Sequence, residues 1–472
     1  MDGFQVELFD RLPLAQAALK IFDHVFDAGV LNGLFEEHRG RCYQGVLTFD
    51  TLVHLVRDAL VLHGGSGRRS FEAADEAGAL PVAYQNAYAK LGRLPPAVSM
   101  AVLAHGSRRM EALLPAGAAV ELPPSLAGLE VVAFDGKKIK NAAKRLKALR
   151  GLPGKLLGGK LLVALSLRSG LALAMEADPD GERNDVPLVP GLVQQVRRRV
   201  AHAVLRMGDR QFGCSLDLPA LLCARDGDHF LLRCGKTPHF HADPHRPARE
   251  GVDAAGRRFV QEWGSVGGPK DPRRRYVRRV TLYRPGEGDD VTLLTDLLDE
   301  GLYPAADLLS AYLRRWGIER MFQRVTEVFD LRKLIGSTPA AMVFQSAVCF
   351  VLYDVVQVLR AHAAADGGKA REDVSTEKLF GDARDQLKTW ADLGDAALTE
   401  ALLPADDDPP AVAAWLARRM TGTWRGRWLK SPAKKRRAAT PPAKVPRRHG
   451  GHTSVWRVLQ AAKVRSGSRE GP

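Results

Sequence analysis

Three carboxylates stand out by where the chain places them. Asp135 directly follows the apolar run VVAF and precedes Gly136, so it stands at the carboxyl end of an expected buried strand. Asp209 closes a second apolar run, AVLRMG, and opens GDRQFG. Glu319 lies inside YLRRWGIERMFQRVTEVF (312–329), which reads as a helix carrying arginines and large aromatics. Acids converging from two strands and a covering helix present hard oxygen ligands of the kind Mg²⁺ or Mn²⁺ prefers. Two such ions about 4 Å apart activate an attacking oxygen and stabilise a leaving one in phosphodiester displacement. Each acid alone also has an ordinary reading, as a turn residue, a helix cap or a solvated helical glutamate. The helix face narrows the choice for Glu319. At about 100° per residue, Tyr312, Arg315, Glu319, Gln323 and Thr326 share one sector, and a stripe of Tyr, Arg and Glu is not a core stripe. Trp316, Met321 and Phe322 are left to seat the helix.

The elements that must position these acids follow from the hydrophobic pattern. Residues 10–115 place apolar side chains three and four apart and predict an all-helical amino-terminal region. PPSLAG (123–128) reads as a linker. Strands are expected at 129–134, 159–167 and 171–177, with Ser169-Gly170 as a tight hairpin connection. An amphipathic helix (186–200), a strand (202–208), a helix around LDLPALLCARDG and a strand (229–234) come next. The order β-β-β-α-β-α-β implies a mixed sheet, because a hairpin gives antiparallel neighbours and strand-helix-strand crossovers give parallel ones. Residues 236 to about 290 read as a β-rich insertion, ahead of the short strand VTLLTD and one helix over about 307–329. The units expected are therefore 1–122, 123–365, an acidic helical and loop region at 366–420, and a tail at 421–472.

Composition is that of a globular chain: 472 residues, 45% hydrophobic and 26% charged. The balance of 69 Lys and Arg against 54 Asp and Glu gives +15, which favours a polyanionic partner. The tail holds fourteen Lys and Arg against one acid, +13 of that +15, interleaved with proline. It is expected to be an unstructured arm that finds nucleic acid electrostatically. The longest apolar run, AAMVFQSAVCFVLY (340–353), is too short to span a bilayer and is expected in the core. No membrane attachment is expected, and MDGFQVELFD lacks the pattern of a secretory signal, which points to the cytoplasm. Five cysteines without a CxxC pair imply neither a disulfide framework nor a zinc ribbon.

The run of elements, with DG after the first strand, GDRQF after the fourth and YLRRWGIE on a helix beyond a β-rich insertion, resembles the DDE transposases of bacterial insertion sequences. Within these it is similar to the insertion-sequence-four type, whose signature is Tyr, two residues, Arg, three residues, Glu, six residues, Lys. Tyr312, Arg315 and Glu319 match that spacing, Asp135 and Asp209 match the two strand aspartates, and the likeness covers about 129–360. It implies a ribonuclease H-like domain holding two Mg²⁺ ions, with Mn²⁺ as substitute, on Asp135, Asp209 and Glu319. It implies hydrolysis of the transposon-end strand, then attack by the freed 3′ hydroxyl on another phosphodiester, without a covalent protein-DNA intermediate. The partners implied are double-stranded DNA, as terminal inverted repeats and target, and a second copy of the chain in a synaptic complex on nucleoid DNA. Tyr312 and Arg315 are then DNA contacts. One position departs from the signature: its lysine falls at Thr326, and Arg324, Gln323 and Lys333 are the nearby substitutes.

Other clusters divide between DNA contact and plainer roles. Lys137 and Lys138 follow the first aspartate and suit phosphate, as does Arg210 beside the second; a solvated basic loop is the alternative. Arg274 and Arg275, in KDPRRRYVRR, read as DNA-facing residues of the insertion or as a solvated hairpin. Asn184 and Asp185 most simply cap the following helix. Cys234, His239, His241 and His245 lack a second ligand pair and read as a loop rather than a zinc site. Beside a transposase stand two rivals: a decayed or host-adopted DNA-binding protein, favoured by Thr326 alone, and a structure-specific nuclease with the same three acids.

Overall fold

The computed structural model describes residues 3–235, 237–284, 289–329, 331, 333–394, 396–405, 407–431 and 452–467. Helices α1 (Gly3–Asp10), α2 (Pro13–Val25), α3 (Ala28–His38), α4 (Phe49–Val61), α5 (Gly67–Glu76), α6 (Tyr84–Leu91) and α7 (Pro96–Glu111) precede the first strand. They share one hydrophobic core with the sheet. Phe35, Phe49 and Val102 belong to the same buried cluster as Val131, Val163 and Met342.

Strands β1 (Glu130–Lys140), β2 (Leu156–Ser166) and β3 (Ala172–Asp178) form an antiparallel meander, with Gly170 at φ +70° in the second turn. α8 (Val189–Arg199) then crosses to β4 (Val204–Gly208), which lies parallel to β1. The short helices α9 (Arg210–Gly213) and α10 (Leu218–Leu222) lead to β5 (His229–Cys234), parallel to β4. The order β3-β2-β1-β4-β5 with these directions is a ribonuclease H-like mixed sheet.

The expected insertion does not leave the sheet. β6 (Phe240–Ala242), β7 (Arg249–Val252), β8 (Arg258–Val266), β9 (Arg275–Leu282) and β10 (Val291–Thr295) widen it, with β10 joining β5 and β9 joining β10. Among the described residues the sheet has eleven strands.

Period-2 alternation in β1 sorts its side chains between two helical layers. Val132 and Phe134 pack with Leu192, Val196 and Phe212 from the α8–α10 side. Val131 and Ala133 belong to the opposite core, built on α11 (Ala305–Arg314), α12 (Trp316–Glu327) and α13 (Pro339–Asp366). α12 is amphipathic, burying Ile318, Met321, Phe322 and Val325 at spacings of three and four.

α13 runs 28 residues, about 42 Å at roughly 1.5 Å per residue, well beyond the apolar run that marks it in the sequence. It is long and apolar enough to cross a membrane, yet its most apolar stretch is wholly buried in the fold. Asp354 does not end it. Its Oδ1 accepts the Ala172 amide at 2.8 Å, and burial holds its carboxyl well above the usual range, so the helix passes through as if at a neutral acid.

Three sequence expectations need correction. The single helix over 307–329 is two, α11 and α12. At Arg315 the hydrogen bonds tighten to the i→i+3 kind, Arg315 N to Tyr312 O at 2.9 Å and Ile318 N to Arg315 O at 3.0 Å. Trp316 does not seat the helix: it is 52% exposed. The carboxyl-terminal tail is not uniformly an unstructured arm. After α14 (Thr376–Leu393), α15 (Ala396–Leu402) and α16 (Pro409–Met420), β11 (Thr453–Ser454) pairs with β2 and α17 (Val455–Gly467) follows. Val455 is buried, and Arg457 pairs with Asp180 at 2.8 Å and Glu182 at 2.7 Å, which secures this segment to the turn after β3. Residues 432–450, the most basic part of the expected arm, lie outside the described residues.

Candidate active site

Asp135 is not at the end of its strand. β1 continues to Lys140 along β2, with Asp135 opposite Val163. What ends is its parallel partner: the β1–β4 pairing stops at Ala133 and Met207, and β4 itself stops at Gly208. Asp209 turns away there as the cap of α9, its Oδ1 accepting the Gln211 amide at 3.0 Å. The split leaves both aspartates at one edge of a gap in the sheet, Asp135 two residues past the last paired row on β1 and Asp209 two past it on β4.

Alternation points Asp135 to the face that α12 covers, and Lys137 with it. Gly136 points the other way, and space there is already taken. A Cβ on Gly136 would lie 2.2 Å from Asp185 Oδ1. Asp185 is not a cap: it is 5% exposed and pairs with buried Lys160 at 2.5 Å, under β1. Asn184 does take a local turn, accepting the Val186 amide at 3.1 Å, and also accepts from Gln211 Nε2 at 2.5 Å, beside Asp209. Gly136→Ala is expected to lower stability by about 1–3 kcal/mol through overpacking against this pair. The denaturant midpoint checks it; an unchanged midpoint would mean Asp185 yields freely.

Arg315 links the acids. Its guanidinium is buried and donates to Glu319 Oε1 at 2.9 Å, with Asp135 Oδ2 3.8 Å away. Tyr312 is buried beside it, its hydroxyl 3.5 Å from the Gly208 carbonyl, and burial pushes its phenol up to about 12. Asp135 is pushed up to about 7, by burial first and then by the negative charge of Asp209, against the pull of Arg315 and the Gly136 amide; Glu319 adds to the rise. The gap is therefore rich in carboxylate oxygen and short of positive charge. Among the described residues no three His, Cys, Asp or Glu side chains are close enough to share one ion, since Arg315 stands between Asp135 and Glu319.

Lys137 reaches the position where the helix has Thr326. Its Nζ donates to Thr326 Oγ1 at 2.9 Å and to the Phe322 carbonyl at 3.3 Å, and lies 5.1 Å from the centre of the Phe322 ring. Burial and then Lys140 lower its ammonium to about 8, opposed by Asp135. The three substitutes suggested by the sequence go elsewhere. Arg324 approaches Glu377 at 3.6 Å, Gln323 donates to Glu327 at 3.0 Å, and Lys333 donates to the Gly64 carbonyl at 3.0 Å. The signal for Lys137 was present in the sequence, two residues after Asp135 on the same strand face.

Of the other basic candidates, Lys138 is exposed on the opposite face of β1, and Arg210 is exposed beside Asp209 with Asp289 at 3.2 Å. Arg274 and Arg275 are not brought to the carboxylates. The row through Gly208 runs Leu232, Leu294, Arg279, so Arg275 lies three strands away and four residues below, roughly 13 Å down the sheet.

Residues 127–354 match the family model described as Transposase DDE domain, a span from just before β1 into α13 that holds all three candidate acids with Tyr312 and Arg315. No curated protein is significantly similar to the chain.

Proposed function

We propose that this chain, which carries a transposase DDE domain over residues 127–354, is a cut-and-paste transposase of the insertion-sequence-four type, acting as a homodimer on paired inverted repeats. The observation that carries the reading is the gap between β1 and β4, where Asp135 feels the charge of Asp209 and lies across Arg315 from Glu319 of α12.

The donor set fits hard divalent cations: three carboxylates, one of them raised to about 7 by burial and then by the charge of Asp209, and no soft ligand among them. Asp135, Asp209 and Glu319 would hold Mg²⁺, or Mn²⁺ in its place. When bound, such ions supply an activated oxygen nucleophile and neutralise charge developing on the phosphate.

The chain's own residues do the rest. α12, seated by Ile318, Met321, Phe322 and Val325, holds Glu319 over the sheet. Arg315 keeps the acids apart and offers guanidinium to the non-bridging phosphate oxygens. Lys137 supplies the cation that the signature places at residue 326, clamped to the same helix from β1. Lys138 and Arg210, both exposed, suit contacts with the DNA backbone. Arg274 and Arg275 would engage DNA away from the cut. In the first step water displaces the 3′ oxygen from phosphorus, leaving a 3′ hydroxyl and a 5′ phosphate. In the second that hydroxyl forms the new P–O bond as the target's 3′ oxygen leaves.

The test is DNA carrying the inverted repeats that bracket the gene, incubated with the full chain and Mg²⁺. Nicking at the repeat end followed by joining to a second duplex is expected. A protein that binds the repeats and never nicks them would replace this reading with a host-adopted DNA-binding protein; one that nicks without joining, with a nuclease.

A further inference from the structure

A second basic site lies on the side of α12 away from Glu319. A cavity of about 630 Å³ opens between α12, α13 and the carboxyl end of β2. Seven Lys or Arg residues line it against two glutamates, Glu121 and Glu372. Charge excess of this kind is costly to keep without a counter-ion. Lys430 registers that cost: burial first, then the charges of Arg360, Arg324 and Arg320, lower its ammonium from the usual range.

Two buried side-chain nitrogens of lining residues have no acceptor among the described residues. Gln357 is 2% exposed and Arg360 5% exposed. Arg360 Nη1 donates to Gln357 Oε1 at 2.6 Å, which turns the Gln357 amide nitrogen the other way. That nitrogen, Nε2, and Arg360 Nε both lack a partner among the described residues. Buried donors normally find one, and leaving a donor unmet costs about 1–3 kcal/mol. An oxyanion in the cavity would offset the excess of basic side chains around it.

We infer that this cavity is a phosphate-binding pocket, and that in the complex it takes a backbone phosphate of the DNA strand beyond the one being cut. The DNA part rests on the proposed function; the phosphate part does not. The pocket shares α12 with the candidate active site through Gly317, Arg320 and Arg324. Along β2 its floor at Ser166 is three residues from Val163, the partner of Asp135, roughly 10 Å.

Arg320 and Arg324 carry the test, because Arg360 and Gln357 are buried and their variants could fail to fold. Thermal unfolding of the full chain is measured in sodium phosphate and in sodium chloride of equal ionic strength. Phosphate is expected to raise the wild-type midpoint by about 3 °C or more, and to lose this effect in Arg320→Ala/Arg324→Ala. No phosphate-specific rise in the wild type would overturn the pocket, while leaving the carboxylate reading to stand on its own nicking assay. In the second arm the same double variant binds end DNA across a salt series. The slope of log K against log salt is expected to shrink by about 1 to 2, with Mg²⁺-dependent nicking at saturating DNA unchanged. A phosphate effect with an unaltered slope would overturn the DNA assignment, making free phosphate the occupant.

Discussion

Asp135→Asn, Asp209→Asn and Glu319→Gln are each expected to lower Mg²⁺-dependent nicking by more than about 10²-fold, since even residues that only orient a metal's ligands cost 10- to 100-fold. DNA binding measured without divalent cations should change little. Amides are the right replacements because each keeps the local structure. Asn at 209 can still cap α9 through the Gln211 amide, since Asn and Asp are equivalent caps. Asn at 135 can still accept the Gly136 amide, now at 2.8 Å from the carboxylate. What is lost is only charge and hard-ligand strength. Thermal midpoints equal to or above the wild type's would accompany the loss at Asp135 and Asp209, because burial and then mutual repulsion push Asp135 to about 7. Glu319→Gln instead gives up the charge paired with buried Arg315 at 2.9 Å and is expected to lower the midpoint. Full nicking by any one variant would remove that residue from the site.

Lys137 and Thr326 give the second large effect, and its sign depends on which residue changes first. Lys137→Ala removes an ammonium that donates to Thr326 Oγ1 and to the Phe322 carbonyl, and is expected to slow nicking by about 10- to 100-fold, the range of a charged hydrogen bond worth 1.5–3 kcal/mol. Thr326→Lys, which restores the family signature on paper, should not help: it sets a second ammonium against Lys137 in a half-buried space. The double variant Lys137→Ala/Thr326→Lys should recover most of the lost rate, because one cation again occupies the position. A double-mutant cycle on nicking rates measures this coupling. Additive losses would show that Lys137 does not stand in for the missing lysine, and the decayed-transposase reading would regain its one support.

The sheet was legible because its strands are bounded by turn residues and their alternation is clear, with Val131 and Ala133 on one face and Val132 and Phe134 on the other. The candidate acids were legible as positions, but not as an arrangement. Asp135 read as a strand terminus, while the sheet lets it sit mid-strand, where β4 and not β1 comes to an end. The break at Arg315 left only the weak mark of Gly317 inside the tightened turn, and the Arg315 backbone stays in the helical region at φ −50°. A uniform helical wheel sets Trp316 one turn after buried Tyr312, and beyond the break it is exposed instead. Asp185 resembled a cap because acids before helices usually are; its buried partner Lys160 is remote in sequence and shows no period linking the two. The tail misled for a compositional reason. Fourteen cations among prolines hide TSVWRVLQ, whose Val455 finds a core only once the edge of β2 exists.

The claim that Asp135 holds a divalent cation for DNA cleavage is tested most directly by Asp135→Cys, assayed for nicking of the end DNA with Mg²⁺ and then with Mn²⁺. A thiolate is a poor ligand for hard Mg²⁺ and a better one for Mn²⁺. Inactivity in Mg²⁺ with activity regained in Mn²⁺ is the expected result. Nicking in Mg²⁺ at the wild-type rate would contradict it.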